Sequence, residues 1–278
     1  MRITFIAPYQ SIQALGVRIL SALLKREGHE VKVLFMPVLF THDYKNDTLE
    51  EVAEFAKGAE LIGISLMTNY YFNAVQVNEK LRERLPNIPI VWGGVHPTIR
   101  PDESLQHADM ICVGEGEDAM LELVERLETG KDWRDIANIG YRDKSTNETV
   151  VNDKKPLVRD LDALPFQDYD YRSHHIVHDH RLQPMTPELM KSYLNNEYLT
   201  LATRGCPYSC TFCFVSTFND MYSGEAPMRR RTMDNVITEL QEIKSNLPFL
   251  NTIKFDDDNF FTYKYKDLEY FSAQYKEK

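Results

Sequence analysis

Five short apolar runs, Arg2–Ala7, Val31–Met36, Leu61–Leu66, Ile88–Trp92 and Met110–Val113, leave the first part of this chain little choice of architecture. They are too short for buried helices, rich in Ile, Val, Leu and Phe, and bounded by turn residues, which makes them strands. Stretches of helical periodicity lie around them: Ile12–Arg26, Leu49–Lys57, Phe72–Leu85 and Glu117–Leu127. Strands that are apolar throughout need cover on both faces, and these helices supply it. The expected fold is therefore α/β, with a Rossmann-like, doubly wound parallel sheet built from about 130 residues.

Such a sheet binds ligands outside the carboxyl ends of its strands, near the point where strand order reverses. The residues in that position are Pro8–Gly16, Ser65–Thr68, Gly93–His96 and Gly114–Glu117. Gly93 and Gly94 remove side chains where a backbone must approach something bulky, and Ser65 and Thr68 put small hydroxyls beside them. An ordinary pair of turns fits the same residues equally well. The run from Gly114 to Ala119 has the form G-x-G-x-x-A, but it follows the fifth strand and its three acids would repel a pyrophosphate, which excludes a nicotinamide dinucleotide.

A second feature lies far downstream, where Thr203–Phe214 reads T-R-G-C-P-Y-S-C-T-F-C-F and holds three of the chain's four cysteines. Cys206, Cys210 and Cys213 are spaced C-x3-C-x2-C, one ligand short of a structural zinc site. Cys112 sits in an apolar run and reads as a small buried hydrophobe. Three thiolates on one loop suit a cubane iron-sulfur cluster with one iron left open; a reduced cysteine-rich loop or an adventitious zinc site is the competing reading. Gly205 and Pro207 help the loop turn tightly, and Phe212 gives it an apolar face.

At these residues the sequence resembles the radical S-adenosylmethionine (SAM) enzymes, whose signature is C-x3-C-x-aromatic-C after the first barrel strand. The resemblance implies that Cys206, Cys210 and Cys213 hold three irons of a [4Fe-4S] cluster and that SAM chelates the fourth. An electron from the cluster would then cleave SAM to methionine and a 5'-deoxyadenosyl radical. In that family the region after the second barrel strand binds the SAM amino group, commonly through G-G-E. That motif is absent, and Asp257 and Asp258 stand in its place.

The wider chain resembles the branch of this family fused to a cobalamin-binding domain. The resemblance rests on G-G-V-H-P-T at Gly93–Thr98, G-E-G-E at Gly114–Glu117, L-P-F at Leu164–Phe166, R-G-C-P at Arg204–Pro207 and D-D-N-F at Asp257–Phe260, in that order. In the better-known cobalamin domains, D-x-H-x-x-G after the first strand gives a histidine to cobalt, and S-x-L and G-G frame the nucleotide tail. Here Ser11 to Gly16 keeps the glycine but puts Ser11 and Gln13 where the aspartate and histidine would stand. Ser65-Leu66-Met67 keeps the serine, and Gly93-Gly94 is intact. The implied cofactor contacts are Ser11, Gln13, Gly16, Ser65, Thr68, Gly93, Gly94 and His96 for cobalamin, and Phe212, Asp257 and Asp258 for SAM. Bound cobalamin is expected to have its tail displaced and no protein histidine on its lower face; His96 is the nearest alternative ligand.

The expected organisation is a cobalamin-binding domain over residues 1–135, a hairpin and connector over 136–197, and over 198–278 the first part of a (β/α) radical SAM barrel. Gly140–Asp143 and Thr149–Asn152 form the hairpin; Asp153–Glu197 reads as irregular, with His174, His175, His178 and His180 on a solvated or interface loop. Thr232 caps a helix over Met233–Ser245, Thr252–Phe255 is the next strand, and Arg229–Arg231 read as a charged surface loop. Only about two strand-helix units fit after Tyr198, so the chain is expected to be truncated or split.

The implied function is enzymatic: radical methylation or oxidative cyclisation of a small-molecule, lipid or tetrapyrrole-like substrate, with flavodoxin or ferredoxin as electron donor. The rival is a non-catalytic cobalamin or SAM sensor with a structural cluster. A net charge of −10 argues against nucleic acid as partner. No apolar run reaches the roughly 18 residues of a membrane span, the N-terminus reads as a strand instead of a signal peptide, and the cysteine usage suits a reducing compartment, so the expected location is cytoplasmic.

Overall fold

The computed structural model describes residues 1–38 and 43–277. The chain packs as two compact units, one made of Met1–Lys155 with Gln167–Met190, the other of Pro156–Phe166 with the residues from Lys191 onward.

The first unit is built on β1 (Arg2–Ala7), α1 (Leu15–Arg26), β2 (Glu30–Phe35), α2 (Asn46–Ala56), β3 (Leu61–Ser65), α3 (Tyr71–Arg84) and β4 (Ile90–Gly93). Two short helices, α4 (Val95–Ile99) and α5 (Pro101–Ser104), lead to β5 (Met110–Cys112) and α6 (Glu117–Thr129). Four strands follow in two hairpins, β6 (Ile139–Arg142) with β7 (Thr149–Val151), and β8 (His174–His178) with β9 (Arg181–Pro184). All nine strands share one sheet in the order β7-β6-β5-β4-β3-β1-β2-β8-β9. From β5 across to β8 every pairing is parallel, and antiparallel strands complete the edges, β6 and β7 at one and β9 at the other. The central strands are buried along almost their whole length, as all-apolar runs must be.

Helix α1 shows how the layers are joined. Val17, Ser21 and Leu24 recur on one buried face at helical spacing. The helix starts at Leu15 and not at Ile12, because the Ser11 hydroxyl accepts the Gln13 amide (3.2 Å) and the Ile12 carbonyl is taken by Arg18 Nε (3.1 Å) and Nη2 (2.8 Å). Arg18 is fully buried, with its guanidinium 3.8 Å from the Tyr169 ring centroid and 4.5 Å from that of Phe35.

The stretch expected to be irregular, Asp153–Glu197, is largely so up to Asp170, but from His174 onward it holds two strands and a helix. β8 pairs with β2 and occupies a full place in the parallel sheet, and His174 is a core residue with no exposed surface, edge-on to Phe35 at 5.5 Å. The histidines hid this strand, because their polarity masks an alternation that burial reveals. Lys25 (2.6 Å) and Ser21 (2.6 Å) both donate to the Asp168 carboxylate, from which His174 Nε2 is 3.4 Å away.

The second unit contains β10 (Glu197–Thr200), which follows α7 (Pro187–Leu194), then β11 (Thr203–Arg204), α8 (Phe214–Met221), β12 (Arg229–Arg230), α9 (Met233–Asn246), β13 (Thr252–Phe255) and α10 (Tyr265–Glu277). β10 pairs with β13 in parallel, and β11 with β12 in antiparallel. The Thr232 hydroxyl caps α9 by accepting from the Asn235 amide (3.2 Å), and Asp162 accepts from both the amide and the hydroxyl of Thr232. The arginines expected on a surface loop are mostly inside: Arg229 is 5% and Arg231 9% exposed. Arg231 Nη1 reaches Glu239 (2.6 Å), whose carboxylate also accepts from the hydroxyls of Tyr198 and Thr200 (2.8 Å each). Burial is possible because Arg231 is paired with Glu239 and Arg229 donates to the Val158 carbonyl (3.1 Å). Among the described residues, no helix is long and apolar enough to cross a membrane.

Candidate cofactor sites

In the first unit β1 and β3 are neighbours although β2 separates them in sequence, so strand order reverses between them and opens a crevice at their carboxyl ends. Tyr9, just past β1, spans it by a 2.7 Å hydrogen bond between its hydroxyl and that of Ser65 at the end of β3. The Tyr70 hydroxyl accepts the Gln10 amide (3.0 Å), and the Tyr9 and Tyr70 rings meet edge to face at 5.5 Å. Burial pushes Tyr9 up to about 12, so it stays a neutral phenol able to donate or accept. Tyr9 and Tyr70 belong to no recognisable motif, which is why the sequence did not single them out.

Around this crevice the expected residues divide by exposure. Ser11 and Gly16 are exposed, whereas Gln13 is buried. A Cβ on Gly16 would meet nothing within 4 Å, and one on Gly93 would meet only the Cys112 Cβ at 4.0 Å. Gly94 differs, since its φ is +100° and a Cβ there would stand 2.7 Å from the Leu66 carbonyl oxygen. Only glycine fits that position. Thr98 joins the two glycine loops, its hydroxyl donating to the Gly94 carbonyl (2.8 Å) and accepting from the Gly114 amide (3.1 Å). Backbone left bare at Gly16 and Gly93, beside a crevice lined by hydroxyls, suits a bulky cofactor with polar edges.

His96 is 1% exposed and packs 4.7 Å from the Tyr71 ring, with Nδ1 3.3 Å from the exposed Thr68 hydroxyl. Its Nε2 makes no hydrogen bond and lies 3.6 Å from Glu103. Burial lowers its pKa against the opposing charge of Glu103, so the ring is neutral at neutral pH. Cys112 is fully enclosed, and burial with the nearby Glu117 pushes its thiol up to about 12, which keeps it protonated and unreactive.

In the second unit the cysteine loop leaves the end of β11. Gly205, with φ +86°, turns it so tightly that a Cβ would stand 2.1 Å from the Pro227 carbonyl oxygen. Cys210 is exposed, Cys206 and Cys213 are half-buried, and the Cys213 amide donates to the Cys210 carbonyl (3.0 Å) just ahead of α8. Asn219 on α8 reaches back to the Cys206 carbonyl (2.8 Å). Among the described residues, no three His, Cys, Asp or Glu side chains converge closely enough to hold a metal ion. The donor set is nevertheless chemically apt, three thiols on one loop with two of them partly shielded from water. Phe212 is 91% exposed.

The acids at the end of β13 have separate surroundings. Asp256 pairs with Lys254 at 3.2 Å. Asp257 accepts from the amides of Ala202 (3.2 Å) and Thr203 and from the Thr203 hydroxyl (2.6 Å). Asp258 is exposed and accepts the Gly205 amide. Burial raises the pKa of Asp257 against its hydrogen bonds, and desolvation with the charge of Asp257 raises that of Asp258.

Known proteins resemble the chain along most of its length. Residues 1–124 match the B12 binding domain family. A solved structure of the radical SAM methyltransferase TsrM from Kitasatospora setae superposes with TM-score 0.68 at 16% identity, over 99% of this chain and 50% of TsrM; a second TsrM structure carries cobalamin and a [4Fe-4S] cluster. An uncharacterised methyltransferase of Pyrococcus horikoshii is 27% identical over 88% of this chain and 49% of its own length. The chain is thus similar to cobalamin-binding radical SAM enzymes, with its first 124 residues matching the B12 binding domain. A further relative, an anaerobic magnesium-protoporphyrin IX monomethyl ester cyclase of Synechocystis, is 29% identical over 74% of this chain and 38% of its own length. The chain thus spans half or less of the proteins it resembles.

Proposed function

We propose that this chain holds the cofactor-binding portion of a cobalamin-dependent radical SAM enzyme, with residues 1–135 for cobalamin, 136–197 as connector and 198–278 opening the SAM barrel. The observation that carries it is the C-x3-C-x2-C loop rooted at the carboxyl end of a parallel β10–β13 pair, in a chain whose first 124 residues match a B12 binding domain. Cys206, Cys210 and Cys213 would hold a [4Fe-4S] cluster. When reduced, that cluster supplies the electron that cleaves SAM. Asp258, exposed and short of donors, is suited to the SAM ammonium, and Phe212 to shielding the loop. Ser65, Gly93, Gly94 and Gly16 would admit the cobalamin tail at the β1–β3 crevice, with Ser11, Gln13, Thr68 and His96 bordering it.

The relatives include methyltransferases and a tetrapyrrole cyclase, which supports radical methylation or ring formation on a small molecule as the reaction class. The electron would come from a flavodoxin- or ferredoxin-type donor. The decisive experiment is anaerobic reconstitution with iron, sulfide and cobalamin, followed by assay of SAM cleavage to 5'-deoxyadenosine. About four irons per chain are expected. Cys206→Ala, Cys210→Ala or Cys213→Ala should abolish cleavage, and Cys112→Ala should leave it intact. A cluster-bearing protein that never cleaves SAM would instead be a sensor.

A further inference from the structure

We infer that Asp257 is a positioning residue that fixes the root of the cysteine loop. The inference rests on the cluster reading above. Its basis is the division of hydrogen bonds among three adjacent carboxylates that look interchangeable in sequence. Asp257 is half-buried and takes three donors from two consecutive residues, the Ala202 and Thr203 amides and the Thr203 hydroxyl. Those two residues carry the chain from β10 into β11, immediately before Gly205 and Cys206. A carboxylate so occupied has little capacity left for a ligand ammonium.

The surroundings of Asp257 make the anchor stiff. The Asp256 amide donates to the Thr200 carbonyl (2.9 Å), extending the β10–β13 ladder up to the anchor itself. The Tyr263 hydroxyl lies 2.8 Å from the Ala202 carbonyl and 2.9 Å from that of Arg231, and the Arg231 amide donates to the same Ala202 carbonyl (2.9 Å). Both peptide groups of Ala202 are therefore held, one by Asp257 and one from the other side. The loop that follows has no comparable freedom at its start, because Gly205 is wedged against Pro227 and its amide is bound by Asp258. Asp258 uses one acceptor position on Gly205 and remains exposed, while Asp256 is an exposed carboxylate neutralised by Lys254.

The test compares Asp257→Asn, Asp258→Asn and Thr203→Val in the full chain, by hydrogen exchange, iron content and the paramagnetic spectrum of the reduced cluster with and without SAM. Asp257→Asn would turn an NH2 group toward one of the donors that the carboxylate now accepts from, so exchange at the Ala202 and Thr203 amides should speed up roughly tenfold or more. Iron should be lost with it, while cobalamin binding by the first unit stays as in the parent. Asp258→Asn should retain the iron and the slow exchange at Ala202 and Thr203. Thr203→Val removes one donor and no charge, so it should raise exchange less than Asp257→Asn and keep the SAM response. Asp257→Asn with normal exchange and full iron but no SAM response would overturn the inference. Should Asp257→Asn not fold, a Thr203→Val protein with unchanged exchange would overturn it equally. Failure of the parent chain to take up iron would sink the cluster reading, and the exchange comparison would still decide whether Asp257 is the anchor.

Discussion

The two units place their candidate residues at the same kind of position, the carboxyl ends of parallel strands, on very different supports. In the first unit β1 and β3 are hydrogen-bonded on both sides and buried on both faces. In the second, β10 and β13 form a two-stranded parallel sheet, and β13 alternates exposed with half-buried residues. Large aromatic side chains stand exposed close by, Phe261 at 84% and Tyr265 at 76%. A parallel pair without further strands is weakly held, so side-chain anchors carry more of the positioning there. The crevice of the first unit is set by strand order, whereas the cysteine loop of the second is set by Asp257, Asp258 and the Gly205 turn.

The widest gap should appear in native-state hydrogen exchange. Amides of β10 and β13 are expected to exchange about a hundredfold or more faster than those of β1, β3 and β4. Equal protection of the two sheets would erase the contrast between supports.

Buried arginines sharpen the comparison at the next level. Arg231→Met strands the Glu239 carboxylate, 3% exposed, without its cation and should cost about 3–5 kcal/mol in the second unit. Arg18→Met releases the carbonyls of Ile12 and Asp168, which are neutral, and should cost the first unit about 1–3 kcal/mol. Denaturant melts followed separately in each unit would check the order, and a larger loss for Arg18→Met would reverse it.

Gly94→Ala asks whether the first unit's loops are as rigid as its strands. With φ at +100° and the Leu66 carbonyl 2.7 Å from the new Cβ, about 2 kcal/mol should be lost, together with affinity for cobalamin. Gly16→Ala meets nothing in the protein and should leave stability unchanged while weakening cobalamin binding, as titration against the absorbance of the cofactor would show.

A pH slope set by His174 tests the first unit in a different variable. Burial lowers His174 to about 4 against the pull of Asp168, so the unfolded chain binds its proton first. Between about pH 6.5 and 4 the unfolded state then holds more protons, and stability falls as pH falls, by at most about 1.4 kcal/mol per pH unit. Below that window Asp168 adds to the loss, because the contacts with His174, Lys25 and Ser21 outweigh its burial and hold its carboxyl well below the usual range. His174→Phe should flatten the slope above pH 4 in melts of the first unit, with no change in the second.

Much of this architecture was legible in the chain by itself. The largely apolar runs at Ile3–Ala7, Leu61–Ile64 and Ile90–Trp92 could be buried only in a sheet covered on both faces, and the helical stretches around them made that sheet parallel. Three cysteines at C-x3-C-x2-C marked the downstream loop as the candidate cluster site, since ligand type and spacing are local properties. What lay outside local reach needed the tertiary structure. β8 joins the sheet through His174, whose polarity conceals a core position that only the packing of Phe35 and Asp168 creates. Arg231 looked solvated although Glu239 follows only eight residues later, because the turn into α9 that brings the two together is not visible in the sequence. Tyr9 and Ser65 are 56 residues apart and meet only because strand order reverses between β1 and β3. The three aspartates after Phe255 are chemically identical in the chain, and only the direction in which β13 delivers each carboxylate gives Asp256 a lysine, Asp257 the root of the cysteine loop and Asp258 the Gly205 amide.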